Sequence, residues 1–546
     1  MTPRNLAELH RLQAERLGPR PALRHKQLGL YHDYPWDQYR RDALACAAAL
    51  LDAGVRPGDR VGLFAENRLD WLVADIGVLA AGAVCVTPHA PLTARQVQYE
   101  LADSGCTWLF VSTQVQLDKI NQVRDELPEL RGIVSFDRLD VVTWPAFLAR
   151  GRQRLGELSA ELARREATLD RDSPAGILYT SGTTGKPKGV MLTHGNILSN
   201  VEGMQLQNPP QPDEVLLSWL PYSHIYARTV DHYRAIANGT LMYLAESAET
   251  LVDNLAECQP THMNAVPRFY EKVYTNRADA DPAKTARRLR DAFGPRVRFL
   301  SSGGAPLPPA IAKAYYDAGL MVLQGYGLTE SAPVISFNSP QQYKLETVGR
   351  PLPGVEVKIA DDGEVLTRGP HVMKGYWNNP LATAEAIRDG WLHTGDLGSL
   401  DADGFLSITG RKKELMVLSS GKKIVPPFLE GLLIADPYID QAMVCGEARS
   451  FLTALIVPAW DALKKTLKLD GDEDKLANDP AVYRFLEKRI GEALKDVCGW
   501  EQVKKFVILP RPFSVAEEEL TVSLKLRRGV ILKHNAEHLE RMYRKE

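Results

Sequence analysis

No two of the six cysteines stand at a metal-binding or redox spacing. Cys46, Cys85, Cys106, Cys258, Cys445 and Cys498 are scattered over 546 residues without a CxxC pair. That argues against a zinc site or a disulfide framework, suits a reducing compartment, and leaves a role as small buried hydrophobes. An uninterrupted apolar run of membrane-spanning length is also missing. The nearest, residues 71–86, contains Asp75, Gly77 and Gly82 and reads as a buried helix running into a strand. The first residues, Met1-Thr2-Pro3-Arg4-Asn5-Leu6, carry no signal-peptide apolar region. These absences predict a soluble, cytoplasmic protein, with peripheral contact to a membrane left open. Charge of one sign is not in excess either: 66 Lys and Arg face 68 Asp and Glu, for a net charge of −2. No nucleic-acid partner is expected, and a polyanionic ligand has to be met locally. Internal repeats and low-complexity tracts are absent. The length exceeds what one compact core accommodates, so two or more domains are expected.

What is present is first an alternation of helix-like and strand-like pieces. An alanine-rich helix over 42–53 ends at Gly54, a strand covers 60–64, and a helix over 71–81 leads into a strand at 83–86. Further strand-like pieces lie at 108–111, 297–301 and 321–323, the last two followed by chemically rich turns where open α/β sheets bind ligands. After Pro340 short strands and turns take over, with a hairpin signal where 355–359 and 364–367 flank Asp361-Asp362-Gly363. The charged stretch Gly410-Arg411-Lys412-Lys413-Glu414 marks a boundary. Beyond it a helix opens at Asp479-Pro480, with Val482, Phe485, Leu486, Ile490, Ala493, Leu494 and Val497 on one face before Gly499. The fold class expected is α/β: a large N-terminal domain (1–410) of helix-covered mixed sheets plus a β-rich segment, and a smaller α+β C-terminal domain (411–546).

The chemistry concentrates in a few turns. Residues 177–190, Ile-Leu-Tyr-Thr-Ser-Gly-Thr-Thr-Gly-Lys-Pro-Lys-Gly-Val, set a hydroxyl- and glycine-rich loop with two lysines between apolar strands, a construction that holds phosphates. It is not a Walker A loop, because only two residues separate Gly182 from Gly185 and a proline follows Lys186. Ser302-Gly303-Gly304-Ala305-Pro306-Leu307 lets a flat base lie against backbone, although such a run is also an ordinary turn. In Gln324-Gly325-Tyr326-Gly327-Leu328-Thr329-Glu330-Ser331 an aromatic ring, a hydroxyl and a carboxylate arrive together, as a metal–nucleotide site requires. Asp396, on a glycine-flanked turn, offers a carboxylate to hydroxyl groups.

Residues 179–189, continued by Met191-Leu192-Thr193-His194-Gly195-Asn196, resemble the signature loop of the adenylate-forming superfamily of acyl-CoA synthetases, luciferases and peptide-synthetase adenylation domains. Leu520-Thr521-Val522-Ser523-Leu524-Lys525 resembles the form found in its long-chain acyl-CoA synthetase branch. The resemblance implies that Thr180, Ser181, Gly182, Thr183, Thr184, Gly185, Lys186 and Lys188 hold phosphates and that Thr184 and Glu330 bind Mg²⁺. It implies that Gly303, Gly304, Ala305, Gln324, Gly325, Tyr326 and Gly327 surround the adenylate, with Tyr326 on the adenine face and Thr329 at the phosphate. Asp396 and Arg411 then bind ribose, Lys413 is a hinge about which the C-terminal domain moves, Gly421 lies near the path of the CoA thiol, and His224 lines the carboxylate and pantetheine tunnel. Lys525 is the catalytic lysine. Position 228, where that branch can carry a tryptophan gate, is Arg228. The remaining candidates for the acyl pocket are Phe269, Tyr270, residues 223–228 and residues 332–334.

The activity so implied is ATP-dependent activation of a fatty acid, long-chain by its branch, through acyl-AMP to acyl-CoA, with AMP and pyrophosphate released, Mg²⁺ as cofactor and ATP and CoA as substrates. Two alternatives share parts of this: a fatty acyl-AMP ligase that loads a carrier protein, which would carry an insertion after the hinge, and a non-catalytic nucleotide- or lipid-binding protein, which would carry damaged motifs.

Overall fold

The computed structural model describes residues 2–180, 186–279, 281–521 and 525–544. The alanine-rich helix starts earlier than its composition suggests, at Trp36, because Trp36 and Tyr39 extend its buried face behind Pro35; it runs to Asp52, and Gly54 follows with φ of +81°. It packs against Leu69–Ala80 and Trp144–Thr168 through small side chains. A Cβ on Gly151 would fall 1.8 Å from the Ala45 carbonyl oxygen, so this crossing requires glycine.

These helices cover a largely parallel eight-stranded sheet. Its order is Gly375–Tyr376, Lys188–Thr193, Pro174–Thr180, Val84–Val86, Arg60–Phe64, Cys106–Val111, Gly132–Ser135 and Val142–Thr143. A nine-stranded sheet runs from Arg350–Pro351 through Val334–Phe337, Val322–Gly327, Phe299–Ser302, His262–Ala265, Val215–Ser218, Leu241–Leu244 and Pro21–Gln27 to Leu30–Pro35. The strand expected over 321–323 continues to Gly327, since Gly325 and Tyr326 pair antiparallel with Phe337 and Ser336. The β-rich segment forms a third sheet in which the hairpin Glu356–Ile359 and Glu364–Arg368 joins Trp391–Leu400, itself paired with Leu406–Arg411.

The C-terminal part has its own apolar cores, drawn from residue 416 onward around the sheet Ile439–Cys445, Leu452–Pro458 and Val503–Ile508. Helix Pro480–Ala493 is capped by Asp479 and buries Val482, Leu486 and Ile490, the stripe read from sequence. Five cysteines are buried as expected; Cys498 is exposed, because it falls in the turn beyond that helix rather than on its apolar face. Among the described residues no helix is long and apolar enough to cross a membrane.

Candidate active site

The strand Trp391–Leu400 delivers Asp396 opposite Arg411 across an antiparallel ladder. Asp396 is 2% exposed, and its Oδ2 accepts a hydrogen bond from the Tyr326 hydroxyl at 2.7 Å. Arg411 Nε stands 2.7 Å from Oδ1, yet that oxygen accepts no hydrogen bond of good geometry among the described residues. Burial, with the Asp396 charge, pushes the Tyr326 hydroxyl well above the usual range and keeps it a donor. Burial works against the Arg411 charge, but Asp396 and Glu414 outweigh it and raise its pKa. The turn before Asp396 is fastened by Glu364, which accepts from Gly395 N–H at 2.8 Å and lies 3.1 Å from Lys412 Nζ.

Lys525 reaches the same cleft from the C-terminal part. Its backbone is tied to Thr521, with Thr521 N–H donating to the Lys525 carbonyl at 2.8 Å and Lys525 N–H to Thr521 Oγ1 at 3.0 Å. Lys525 is exposed to solvent. Desolvation and the Arg411 charge hold its pKa below the ordinary lysine value, against the opposite pull of Asp396, Glu414 and Glu330. The structure therefore brings Lys525, Asp396, Arg411, Tyr326 and Glu330 into one electrostatic group.

Glu330 sits in the 3-10 turn Thr329–Ser331, where its Oε1 accepts from the Tyr376 hydroxyl at 2.9 Å. Lys188 lies over the Tyr376 ring, 4.9 Å from its centre, and Lys186 over the Tyr99 ring at 5.5 Å. Thr180 pairs with Lys188 at the open end of the two strands flanking the loop. The calls on Ser181, Gly182, Thr183, Thr184 and Gly185 lie outside the described residues. Gly303 is buried against Tyr226, whose ring carbon would stand 3.0 Å from an added Cβ, while Gly304 (φ +84°) and Ala305 are exposed on the turn after Phe299–Ser302. Gln324, Gly325 and Gly327 belong to the strand that carries Tyr326. At Gly327 a Cβ would meet the Pro333 carbonyl oxygen at 1.8 Å, so that position is closed to any side chain.

His224 caps the short helix Ile225–Ala227, its Nδ1 accepting from Tyr226 N–H at 3.1 Å, which leaves the ring proton on Nε2. Burial pushes its pKa down to about 3, with His89 and Lys525 adding to the effect. His89 stacks on it with ring centres 6.2 Å apart and bonds to Ser223 Oγ at 2.7 Å. Both imidazoles are neutral at physiological pH, so His224 can donate a hydrogen bond through Nε2 but does not act as a cationic acid. Lys413 is exposed in the turn Lys412–Glu414, between the third sheet and the C-terminal part. Gly421 (φ +78°) is exposed at the tip of the hairpin Met416–Val417 and Lys423–Ile424, with nothing within 4 Å of its Cβ position, and is not part of the cleft group.

Four of the acyl-pocket candidates, Ala227, Arg228, Tyr270 and Ala332, are wholly buried and do not line an opening. Arg228 is wholly buried and paired with Asp75, on a π-helical segment Arg228–Tyr233. Tyr270 is wholly buried, its hydroxyl donating to the Ser301 carbonyl at 2.7 Å and its ring packed on Tyr315. Phe269 is only partly buried and meets Trp219. Sequence reading missed Tyr376, His89 and the Asp75–Arg228 pair. Gly375-Tyr376-Trp377 was visible as an aromatic pair after a glycine, but nothing in the string named its partner.

Comparison with known proteins bears on this arrangement. The model of the AMP-binding enzyme family matches residues 11–377, and that of the AMP-binding enzyme C-terminal domain matches residues 413–546. A long-chain-fatty-acid–CoA ligase of Mycobacterium tuberculosis is 35% identical, covering 95% of this chain and 93% of the relative. The long chain acyl-CoA synthetase 1 of Arabidopsis thaliana is 28% identical over 94% of this chain and 88% of its own length. Among solved structures, the A domain of a carboxylic acid reductase from Segniliparus rugosus, in complex with AMP and a co-purified carboxylic acid, superposes with a TM-score of 0.82 at 22% identity. That match covers 99% of this chain and 94% of the other. A Mycobacterium tuberculosis fatty acyl CoA synthetase gives 0.66 at 22% identity, over 98% and 99%. The expected α/β fold with a large N-terminal and a smaller C-terminal domain is the fold of these structures, and the chain belongs to the AMP-binding enzyme family, in its long-chain fatty acid–CoA ligase branch.

Proposed function

We propose that this enzyme activates a long-chain fatty acid in two half-reactions on one site. The carboxylate first attacks the α-phosphorus of ATP, forming acyl-AMP and releasing pyrophosphate. The CoA sulfur, as thiolate, then attacks the acyl carbonyl and AMP departs. The observation that carries this reading is the meeting of Lys525, from the C-terminal part, with Asp396, Arg411, Tyr326 and Glu330 in one cleft.

Two anions must approach each other in the first step, so charge has to be neutralised in place. Lys525 faces the cleft with no fixed carboxylate partner among the described residues, free to bond an oxygen that gains charge. Asp396 Oδ1 has the unmet acceptor capacity a ribose hydroxyl would fill, with Arg411 beside it. Lys186 and Lys188 flank the loop that would take the phosphates. The donor set suits Mg²⁺ brought in with a nucleotide: one carboxylate, Glu330, and no cluster of three acidic, histidine or cysteine side chains among the described residues. Glu330, and Thr184 outside the described residues, would hold it, and it would supply charge neutralisation to the phosphates. We place the domain boundary at 410/411 and the pivot at Lys413, so that the C-terminal domain can withdraw Lys525 before the thiol enters beside Gly421.

The test is a product analysis with ATP, CoA and fatty acids of graded length. AMP, pyrophosphate and acyl-CoA in equal amounts are expected, with the longer acids preferred. ADP with phosphate would refute the reading, and transfer to a carrier protein in place of CoA would assign the second half-reaction to the acyl-AMP ligase group.

A further inference from the structure

The carboxylate and the lysine on the phosphate side of the cleft come from different sheets, and residues 373–377 join them. Met373 N–H donates to the Glu330 carbonyl at 2.8 Å. Gly375 and Tyr376 then pair antiparallel with Met191 and Val190, and Trp377 N–H donates to the Gly189 carbonyl at 2.7 Å. The segment is seated closely: Gly375 has φ of +144°, and a Cβ there would fall 2.9 Å from Thr383 Cγ2. Backbone bonds thus tie the Glu330 turn to the strand that starts at Lys188.

The Tyr376 side chain completes the link. Opposite Val190, it lies on the same face of the sheet as Lys188, two residues away, and its ring seats the lysine Nζ at 4.9 Å. Its hydroxyl donates to Glu330 Oε1 at 2.9 Å. That bond fixes the carboxylate's orientation and leaves Oε2 as the oxygen directed elsewhere. We propose that Tyr376 is a positioning residue that sets Glu330 and Lys188 as one unit, its hydroxyl orienting the carboxylate for a divalent cation and its ring seating the lysine for nucleotide phosphates. The inference rests on the reading of Glu330 as the metal carboxylate.

The two contacts use different parts of one side chain, so they separate by substitution. The full chain is titrated with Mn²⁺, a paramagnetic stand-in for Mg²⁺, in the presence of a non-hydrolysable ATP analogue, and bound metal is read by electron paramagnetic resonance without turnover. Tyr376→Phe keeps the ring and should raise the half-saturating Mn²⁺ concentration about 10-fold or more, the usual effect of removing a hydrogen bond to a metal-bound group. Affinity for the analogue at saturating Mn²⁺ should stay unchanged. Tyr376→Leu should weaken both. Glu330→Gln should weaken metal binding, and adding Tyr376→Phe to it should cost nothing further, since the hydroxyl acts through the carboxylate. Wild-type Mn²⁺ binding by Tyr376→Phe, with Glu330→Gln weakened, overturns the proposal. So does an equal loss of metal and nucleotide affinity in Tyr376→Phe, which would mark a purely structural role. Wild-type metal binding by Glu330→Gln would instead overturn the reading of Glu330 on which the proposal stands.

Discussion

Arg228→Met should destabilise the protein far more than a conservative change of shape would suggest, and a second substitution, Asp75→Leu, should restore most of the loss. Both side chains are 0% exposed. Asp75 bonds to Arg228 through Oδ1 and accepts from the Tyr233 hydroxyl at 2.7 Å through Oδ2. Burial raises the Asp75 pKa, but Arg228 and His232 outweigh it and hold the carboxyl well below the usual range. Without the guanidinium a carboxylate is left in a dry interior, at a cost of about 3–5 kcal/mol. Against an unfolding entropy of roughly 0.9 kcal/mol/K for some 400 residues, that is a fall in Tm of about 3–6 °C. The pair is itself incompletely satisfied: Arg228 Nε and Nη1 have no hydrogen-bond partner among the described residues, although the guanidinium lies 5.8 Å from the Trp71 ring centre and 5.7 Å from that of Tyr233. A hydrophobic pair in its place should therefore recover most of the loss, falling short of wild type by the cost of the Tyr233 hydroxyl, which loses its acceptor. Because the folded-state pKa of Asp75 is depressed, the stability it supplies is present above about pH 4, the unfolded value, and is lost as pH falls through the lower folded value. The advantage of wild type over Arg228→Met should shrink accordingly in acid. Differential scanning fluorimetry of both single variants and the double variant across pH decides the matter. If the double variant melts as low as Arg228→Met, or Arg228→Met melts with wild type, the buried-charge argument is wrong.

Lys525→Ala should slow adenylation by about 3 kcal/mol, roughly 100-fold, as loss of one oxyanion-type donor does. Thioester formation from supplied acyl-AMP should survive, and normal pyrophosphate exchange would remove Lys525 from the catalytic role. Arg528→Ala serves as the control, since Arg528 bonds to Glu430 and the Val444 carbonyl inside the C-terminal part; a comparable loss there would point to general disruption. Lys413→Pro should restrict φ at the pivot and impair one half-reaction more than the other, measured separately. Equal loss of both would exclude the hinge.

Motifs that act through their own backbone were legible in the sequence, and contacts between distant segments were not. The loop at 177–190 and the turn at 324–331 read as candidates for phosphate and metal chemistry because the required residue types lie within a few positions of each other. The hairpin at Asp361-Asp362-Gly363 and the stripe on the helix opening at Pro480 follow from turn chemistry and periodicity; the hairpin stands as read, while the helix ends at Ala493, so that Leu494 and Val497 of the expected stripe lie beyond it. Strand and helix limits moved where tertiary pairing overrode local pattern, as at Gly325 and Tyr326, glycine-rich positions that became strand only because Val334–Phe337 returns beside them. Arg228 shows the deeper limit. Next to the tunnel motif it read as a candidate pocket wall, because a guanidinium is seldom buried without a partner and Asp75 stands 153 positions away. Tyr376 is the converse case. It belongs to no motif that sequence reading singled out, yet its hydroxyl and ring meet two groups from two motifs. Local spacing therefore marks the candidate ligand groups, while the contacts that link those groups to one another are set by sheet topology and emerge only once the strands are paired.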